Sequence, residues 1–179
     1  YDQLSSAVAD LHYVVGCTAR VRYLNWVRYT PESLANFSTT LAEDARVGLL
    51  FGAERTGLDN AALQHCHGIV RIPSNPDYGS LNLAAAVQIV AYVLSRDRSK
   101  ATAETFEVQN ELVTQDQMTS LYRLAQDVLQ QIDFFAHKNP DRSMLRLRCL
   151  LNRLAPNQKE CNFLHALFAH MASFIRTKS

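Results

Sequence analysis

RVGLLFGAERTGLDN, residues 46–60, is the stretch on which the reading of the chain turns. Residues 46–52 are apolar throughout their middle, as in a strand of a parallel sheet covered on both faces. The run then breaks into Gly52, Glu54, Arg55 and Gly57. Two glycines at a strand end let the backbone come close to something. That something is not a cradled phosphate: GKS or GKT is missing, and so is the G-x-G-x-x-G spacing.

Outward from this strand, LHYVVGC (11–17) and GIVRI (68–72) have the same character. Between them the pattern predicts helices over 2–10, 31–43 and 58–66, the second with Pro31 in its first turn and Thr30 as its cap. Residues 18–30 read as a loop in which Arg20, Arg22 and Arg28 alternate with Tyr23, Trp26 and Tyr29. After PSNPDYG, Ser80 is placed to cap a helix over 81–94. That helix is apolar almost all round and needs cover from its own domain or from a partner subunit. Strands alternating with helices predict an α/β fold with a parallel sheet. Three strands are few for such a sheet, so one or more are expected ahead of Tyr1.

Residues 95–116 are polar and poorly periodic. Beyond them, Met118, Leu121, Tyr122, Ala125, Val128, Leu129, Ile132 and Phe135 fall on one helical face, and Cys161, Leu164, Leu167, Phe168, Met171, Phe174 and Ile175 on another, all read as core. Pro140 and Asp141 open a helix between the two. The organisation read is a domain over 1–97, a linker over 98–116 and a small all-α module over 117–179.

Composition narrows the classes. A net charge of +1 by itself points to no nucleic-acid partner, although a local basic patch can act while the total is near neutral. No apolar run reaches membrane-spanning length, and no signal peptide is read. Cys17, Cys66, Cys149 and Cys161 lack C-x-x-C spacing, which fits a reducing, cytoplasmic protein with neither disulfides nor a zinc site. His65-Cys66-His67 reads as surface or helix-end residues, because adjacent side chains do not converge on one ion.

Three segments directly follow strands: 16–22, 52–57 and 72–83. In an open parallel sheet they meet at the carboxyl ends of the strands, where ligands bind. Rigid backbone loops there suit a flat heterocycle such as adenine. These segments also carry a resemblance. VVGCTAR, LFGAERTGLDN, and IPSNPDYGSLNLAAAVQ opening a helix, in that order, resemble the SPOUT class of RNA methyltransferases, and within it the TrmJ-type tRNA 2′-O-methyltransferases.

The resemblance implies a trefoil-knotted α/β domain, a homodimer with its site near the subunit interface, and S-adenosylmethionine as cofactor. By motif, Cys17, Thr18, Ala19, Gly52, Ile72, Gly79, Ser80 and Leu81 would hold the cofactor. Glu54, Ser80 and Asn82 would shape the catalytic site, and Arg20, Arg22 and Arg55 would contact RNA. The implied reaction moves a methyl group to a ribose 2′-oxygen, at the first anticodon-loop nucleotide of tRNA, and asks for no metal. Its hydroxyl needs activation. The family motif N-x-G-x-x-x-R, whose arginine is taken to supply that activation, is not found, so this arginine is expected upstream of Tyr1. Cys17 stands where the family more often has Ser or Thr, and Pro73 and Gly79 where Ala and Ser are common. Ribosomal RNA as substrate, and an RNA-binding protein with a degenerate site, are the rival readings. Arg20, Arg22 and Arg28, with Tyr23 and Trp26 between them, read as an RNA contact through phosphates and base stacking, with a charged surface loop as the rival reading. Arg142, Arg146 and Arg153 share one helix face that is either a tRNA contact or a solvated surface.

Overall fold

The computed structural model describes residues 1–19, 26–74, 81–98 and 111–178. In chain order the elements are α1 (Leu4–Val8), β1 (Tyr13–Cys17), β2 (Val27–Tyr29), α2 (Pro31–Ser38), β3 (Val47–Phe51), α3 (Asn60–Leu63), β4 (Gly68–Val70), α4 (Leu83–Arg98), α5 (Gln115–Gln131), α6 (Pro140–Leu154) and α7 (Gln158–Lys178). The described strands form one sheet in the order β2-β4-β1-β3, parallel at every pairing. The α/β class with a parallel sheet is therefore as the sequence predicts. None of the described helices is long and apolar enough to cross a membrane.

β1 lies at the centre and shows why its sequence is continuously apolar. Tyr13, Val14 and Val15 are all buried, Val14 against one face of the sheet and its two neighbours against the other. Val14 joins Trp26, Leu63, Cys66, Ile69 and Cys149, so α3 and a residue of α6 cover that face. Tyr13 and Val15 join Leu34, Leu41 and Val70, with Leu94 of α4 packed against them.

Several expectations need correction. The predicted loop 18–30 contains a strand: β2 pairs with β4 through Val27↔Gly68, Arg28↔Ile69 and Tyr29↔Val70. Trp26, expected in that loop as a surface that could stack on RNA, is 5% exposed and belongs to the core. The helix expected to reach residue 43 stops at Ser38. There the hydroxyls of Ser38, Thr39 and Thr40 donate to the carbonyls of Ala35, Asn36 and Phe37, ending the helix from its side chains. Cys66 and His67 are buried rather than surface residues. Asn82 takes the capping role expected of Ser80, which lies outside the described residues. The Asn82 Oδ1 accepts from the amides of Ala84 and Ala85 at the start of α4.

The helical module is tied to the sheet domain by polar contacts as well as by Cys149. Thr114 caps α5 in a capping box with Gln117. The amides of Gln115 and Asp116 donate to the carbonyls of Leu11 and Ala9. Asn152 of α6 is buried, accepts from the Tyr122 hydroxyl, and donates to the carbonyls of Gln64 and Cys66. Met118, Leu121, Tyr122, Ala125 and Val128 are buried as predicted, but the helix ends at Gln131 and Ile132 is 45% exposed. The chain turns there through Asp133, whose φ of 54° lies in the left-handed region. Leu167 and Phe174 of α7, expected in the core, are exposed.

Candidate active site at the strand ends

β1, β3 and β4 end on the same side of the sheet, and a cleft of about 340 Å³ opens there. Cys17, Thr18 and Ala19 line it from the end of β1, Gly52 through Arg55 with Gly57 from the end of β3, and Ile72 and Ser74 from the segment after β4. Leu81, Leu83 and Ala86 close it from the start of α4. The volume lies within the range of small-molecule and cofactor sites, roughly 300–1,000 Å³. The three segments after the strands thus meet, as the parallel-sheet rule predicts.

The loop 52–57 answers the question raised by its glycines. Gly57 donates its amide to the carbonyl of Ala53 at 2.7 Å, and the two residues form an isolated bridge. A Cβ on Gly52 would lie 2.0 Å from the carbonyl carbon of Gly57 and 2.2 Å from the amide nitrogen of Leu58. Both are backbone atoms that cannot step aside. Gly57 itself has φ +65°, which side chains other than glycine adopt only at a cost. The close approach expected toward a ligand is therefore first an approach of the loop to itself. The folded turn then presents its outer backbone and the side chains of Ala53, Glu54 and Arg55 to the cleft.

Glu54 and Asn82 reach across the cleft mouth. The Asn82 Nδ2 donates to Glu54 Oε1 at 3.0 Å while Asn82 Oδ1 caps α4. Glu54 does not cap α3, because Asp59 holds that place, its Oδ1 accepting from the Ala62 amide at 2.7 Å. The Thr18 amide donates to the carbonyl of Val70 at 3.1 Å and fixes the end of β1 beside β4. Burial pushes the Cys17 thiol above its usual range, so at neutral pH it is a protonated S–H in the wall.

Of the residues named from sequence, Cys17, Thr18, Ala19, Gly52, Glu54, Arg55, Ile72 and Leu81 line this cleft. Asn82 borders it through Glu54. Gly79, Ser80, Arg20 and Arg22 lie outside the described residues. Sequence reasoning did not single out Phe51, Ala53, Ser74, Leu83 and Ala86. Leu83 and Ala86 carried a usable signal: three residues apart, they share a helix face on the first turn after the glycine-rich segment.

Residues 2–92 match the SpoU rRNA Methylase family, and residues 116–179 match the C-terminal domain of tRNA methyltransferase TrmJ. The chain is 38% identical over 180 residues to the tRNA (cytidine/uridine-2'-O-)-methyltransferase TrmJ of Photorhabdus laumondii, spanning 98% of this chain and 73% of that protein. It is 41% identical over 172 residues to the protein of the same name from Yersinia pestis, spanning 93% of this chain and 66% of that one. The crystal structure of TrmJ from Z. mobilis ZM4 aligns with a TM-score of 0.81 at 26% identity, covering 96% of this chain and 72% of the other.

Proposed function

The chain belongs to the SpoU rRNA Methylase family and carries a TrmJ C-terminal domain, and from that premise we propose that it is an S-adenosylmethionine-dependent tRNA ribose 2′-O-methyltransferase. The proposed target is the pyrimidine, C or U, at the first position of the anticodon loop. The observation that carries this reading is the cleft itself. It is built from the three motif segments by which the chain resembles the family, at the strand ends where such a cofactor would lie.

The wall chemistry fits the cofactor. Phe51, Ile72, Leu81 and Leu83 offer apolar surface to a flat heterocycle, and the loops 17–19 and 52–57 offer backbone donors and acceptors to its edge. Glu54 supplies one carboxylate, suited to an ammonium or a ribose hydroxyl. When bound, S-adenosylmethionine supplies a methyl group on a sulfonium, a leaving group that departs as a neutral thioether. The neutral Cys17 thiol keeps a competing thiolate nucleophile out of the cleft. Asn82 holds Glu54 in place, and Arg55 brings a cation to the rim where a phosphate of the RNA would pass. We assign Glu54 and Asn82 supporting roles. The proton of the ribose hydroxyl is left to the family arginine.

The same reading includes the family's trefoil knot, a homodimer and a cytoplasmic setting. The sheet order supports the knot, since β4, last in sequence, lies between β2 and β1. The dimer is supported by α4, which packs on α2 yet leaves Val87 and Tyr92 40% and 60% exposed. A ribosomal substrate is the second reading, favoured by the description of the matched family as rRNA methylases.

One experiment separates these. The full-length protein is incubated with methyl-labelled S-adenosylmethionine and either unmodified tRNA or ribosomal RNA transcripts, and the labelled nucleoside is identified after digestion. The expected product is a 2′-O-methylpyrimidine at the first anticodon-loop position. Label in ribosomal RNA alone supports the second reading. Transfer to neither, without cofactor binding, overturns the enzyme assignment in favour of a degenerate RNA-binding protein.

A further inference from the structure

A second cleft, of about 450 Å³, opens beside the first, and Thr18 and Ser74 line both. Its distinctive residues are Arg28, on the edge strand β2, and Arg71, one position past β4. The Arg71 amide donates to the carbonyl of Tyr29 at 2.9 Å, so the ladder between the two strands continues to this point. Arg28 is paired with Ile69, and strand side chains alternate, so Arg28 and Arg71 fall on the same side of the sheet. Their Cα atoms are about 8 Å apart, from the usual spacing between strands and rise along them. Both side chains are exposed. Among the described residues, neither guanidinium has a carboxylate within salt-bridge distance, the ion pair found there being Arg46 with Asp10. Glu32, in the first turn of α2, is not part of the cleft lining.

Two like charges on neighbouring strands of one concave wall repel unless an anion lies between them. The hydroxyls around them sharpen the preference. The Ser33 hydroxyl donates to the Thr30 carbonyl and is spent. The Thr30 hydroxyl accepts from the Ser33 amide, which leaves its own hydrogen to donate. The wall therefore offers two guanidinium forks and a hydroxyl donor, the complement of a phosphate oxygen set.

We propose that Arg28 and Arg71 grip one backbone phosphate of the RNA substrate, beside the ribose presented to the methyl-donor cleft. The inference rests on the RNA-methyltransferase reading for the identity of the polymer. The open wall shared through Thr18 and Ser74 favours a phosphodiester continuing into the first cleft over a free anion.

The test measures binding of the full-length protein to unmodified tRNA and ribosomal RNA transcripts across a salt series, for the wild type and for Arg28→Ala, Arg71→Ala, the double variant and Arg28→Lys. Loss of one phosphate contact makes the slope of log affinity against log salt shallower by about 0.7 on single-stranded RNA. The expected result is that loss in the double variant, partial loss in each single alanine variant, and recovery in Arg28→Lys. S-adenosylmethionine affinity by calorimetry and the melting temperature stay at wild-type values. An unchanged slope in the double variant overturns the proposal, as does a parallel fall in cofactor affinity. Inorganic phosphate is titrated separately. If it binds the wild type and not the double variant while the RNA slope is unchanged, the cleft takes a free anion and the RNA assignment falls. A reduced slope with no methyl transfer by the wild type leaves the phosphate grip standing and sinks the enzyme reading instead.

Discussion

Asn82 donates to the Glu54 carboxylate at 3.0 Å and caps α4 with the other end of the same amide. One side chain therefore couples the glycine loop after β3 to the first turn of α4, and both segments wall the cleft. Replacing Asn82 by Ala removes the cap and the bridge together, at about 1 kcal/mol of stability for the cap alone. Glu54→Ala removes only the bridge. In a double-mutant cycle read by urea unfolding, the two are expected to couple by about 0.5 kcal/mol or more, the threshold for residues in direct contact. Calorimetry should show weaker S-adenosylmethionine binding in both single variants and a smaller loss in Glu54→Gln than in Glu54→Ala, because the Gln amide oxygen still accepts from Asn82 although the carboxylate charge is gone. Strict additivity would mean that the bridge does no positioning.

How much of this was legible in the sequence depends on the reach of each interaction. β3 was plain because VGLLF is apolar by its own composition, whichever partner it meets. Yet the full cover expected on both faces is absent among the described residues: β3 is an edge of the described sheet, Val47 is exposed and the other four residues are half-buried. β2 was not, because VRY has no pattern of its own and becomes a strand only by pairing with β4, some forty residues later. Trp26, set among arginines and tyrosines, looked like a surface aromatic until the chain around it was closed over the core. The end of α2 was written locally in Ser38, Thr39 and Thr40, a signal that the apolar pattern obscured. At the site, glycine marked the loop 52–57 correctly but for an incomplete reason, since the steric demand comes from Gly57 and Leu58 themselves. The Glu54–Asn82 contact joins residues 28 positions apart and leaves no periodic trace.

The exposed side of α4 yields a second prediction. Val93 and Val90 are buried while Val87 and Tyr92 face out, an apolar surface that the described residues leave exposed. If a second copy covers it, the wild type sediments as a dimer. Val87→Glu with Tyr92→Glu then yields a monomer with an unchanged circular dichroism spectrum, because neither residue belongs to the buried core. A monomeric wild type would remove the dimer from the reading.

His67 sets the acid limit. It is 2% exposed, and its ring stacks on Tyr13 with centroids 4.7 Å apart. Its Nδ1 accepts from the Val14 amide at 3.0 Å, and its own amide donates to the Val14 carbonyl at 2.8 Å, which ties β1 to the entry of β4. Burial lowers its pKa from the ordinary 6.5 to about 4. Below pH 6.5 the unfolded chain takes up a proton that the folded chain refuses. Stability is therefore complete above that pH and is lost progressively as the pH falls toward 4. The shift corresponds to about 3 kcal/mol over the whole window, at 1.36 kcal/mol per pH unit. His67→Asn, whose side-chain oxygen can still accept from Val14, should be less stable at pH 7.5 but should lose this slope. His65, lowered by burial and by Arg148, contributes in the same sense to both proteins and cancels in the comparison. Urea unfolding at pH 7.5, 6.5, 5.5 and 4.5 reads the difference directly: converging curves toward acid identify His67 as the group, and parallel curves assign the acid sensitivity elsewhere.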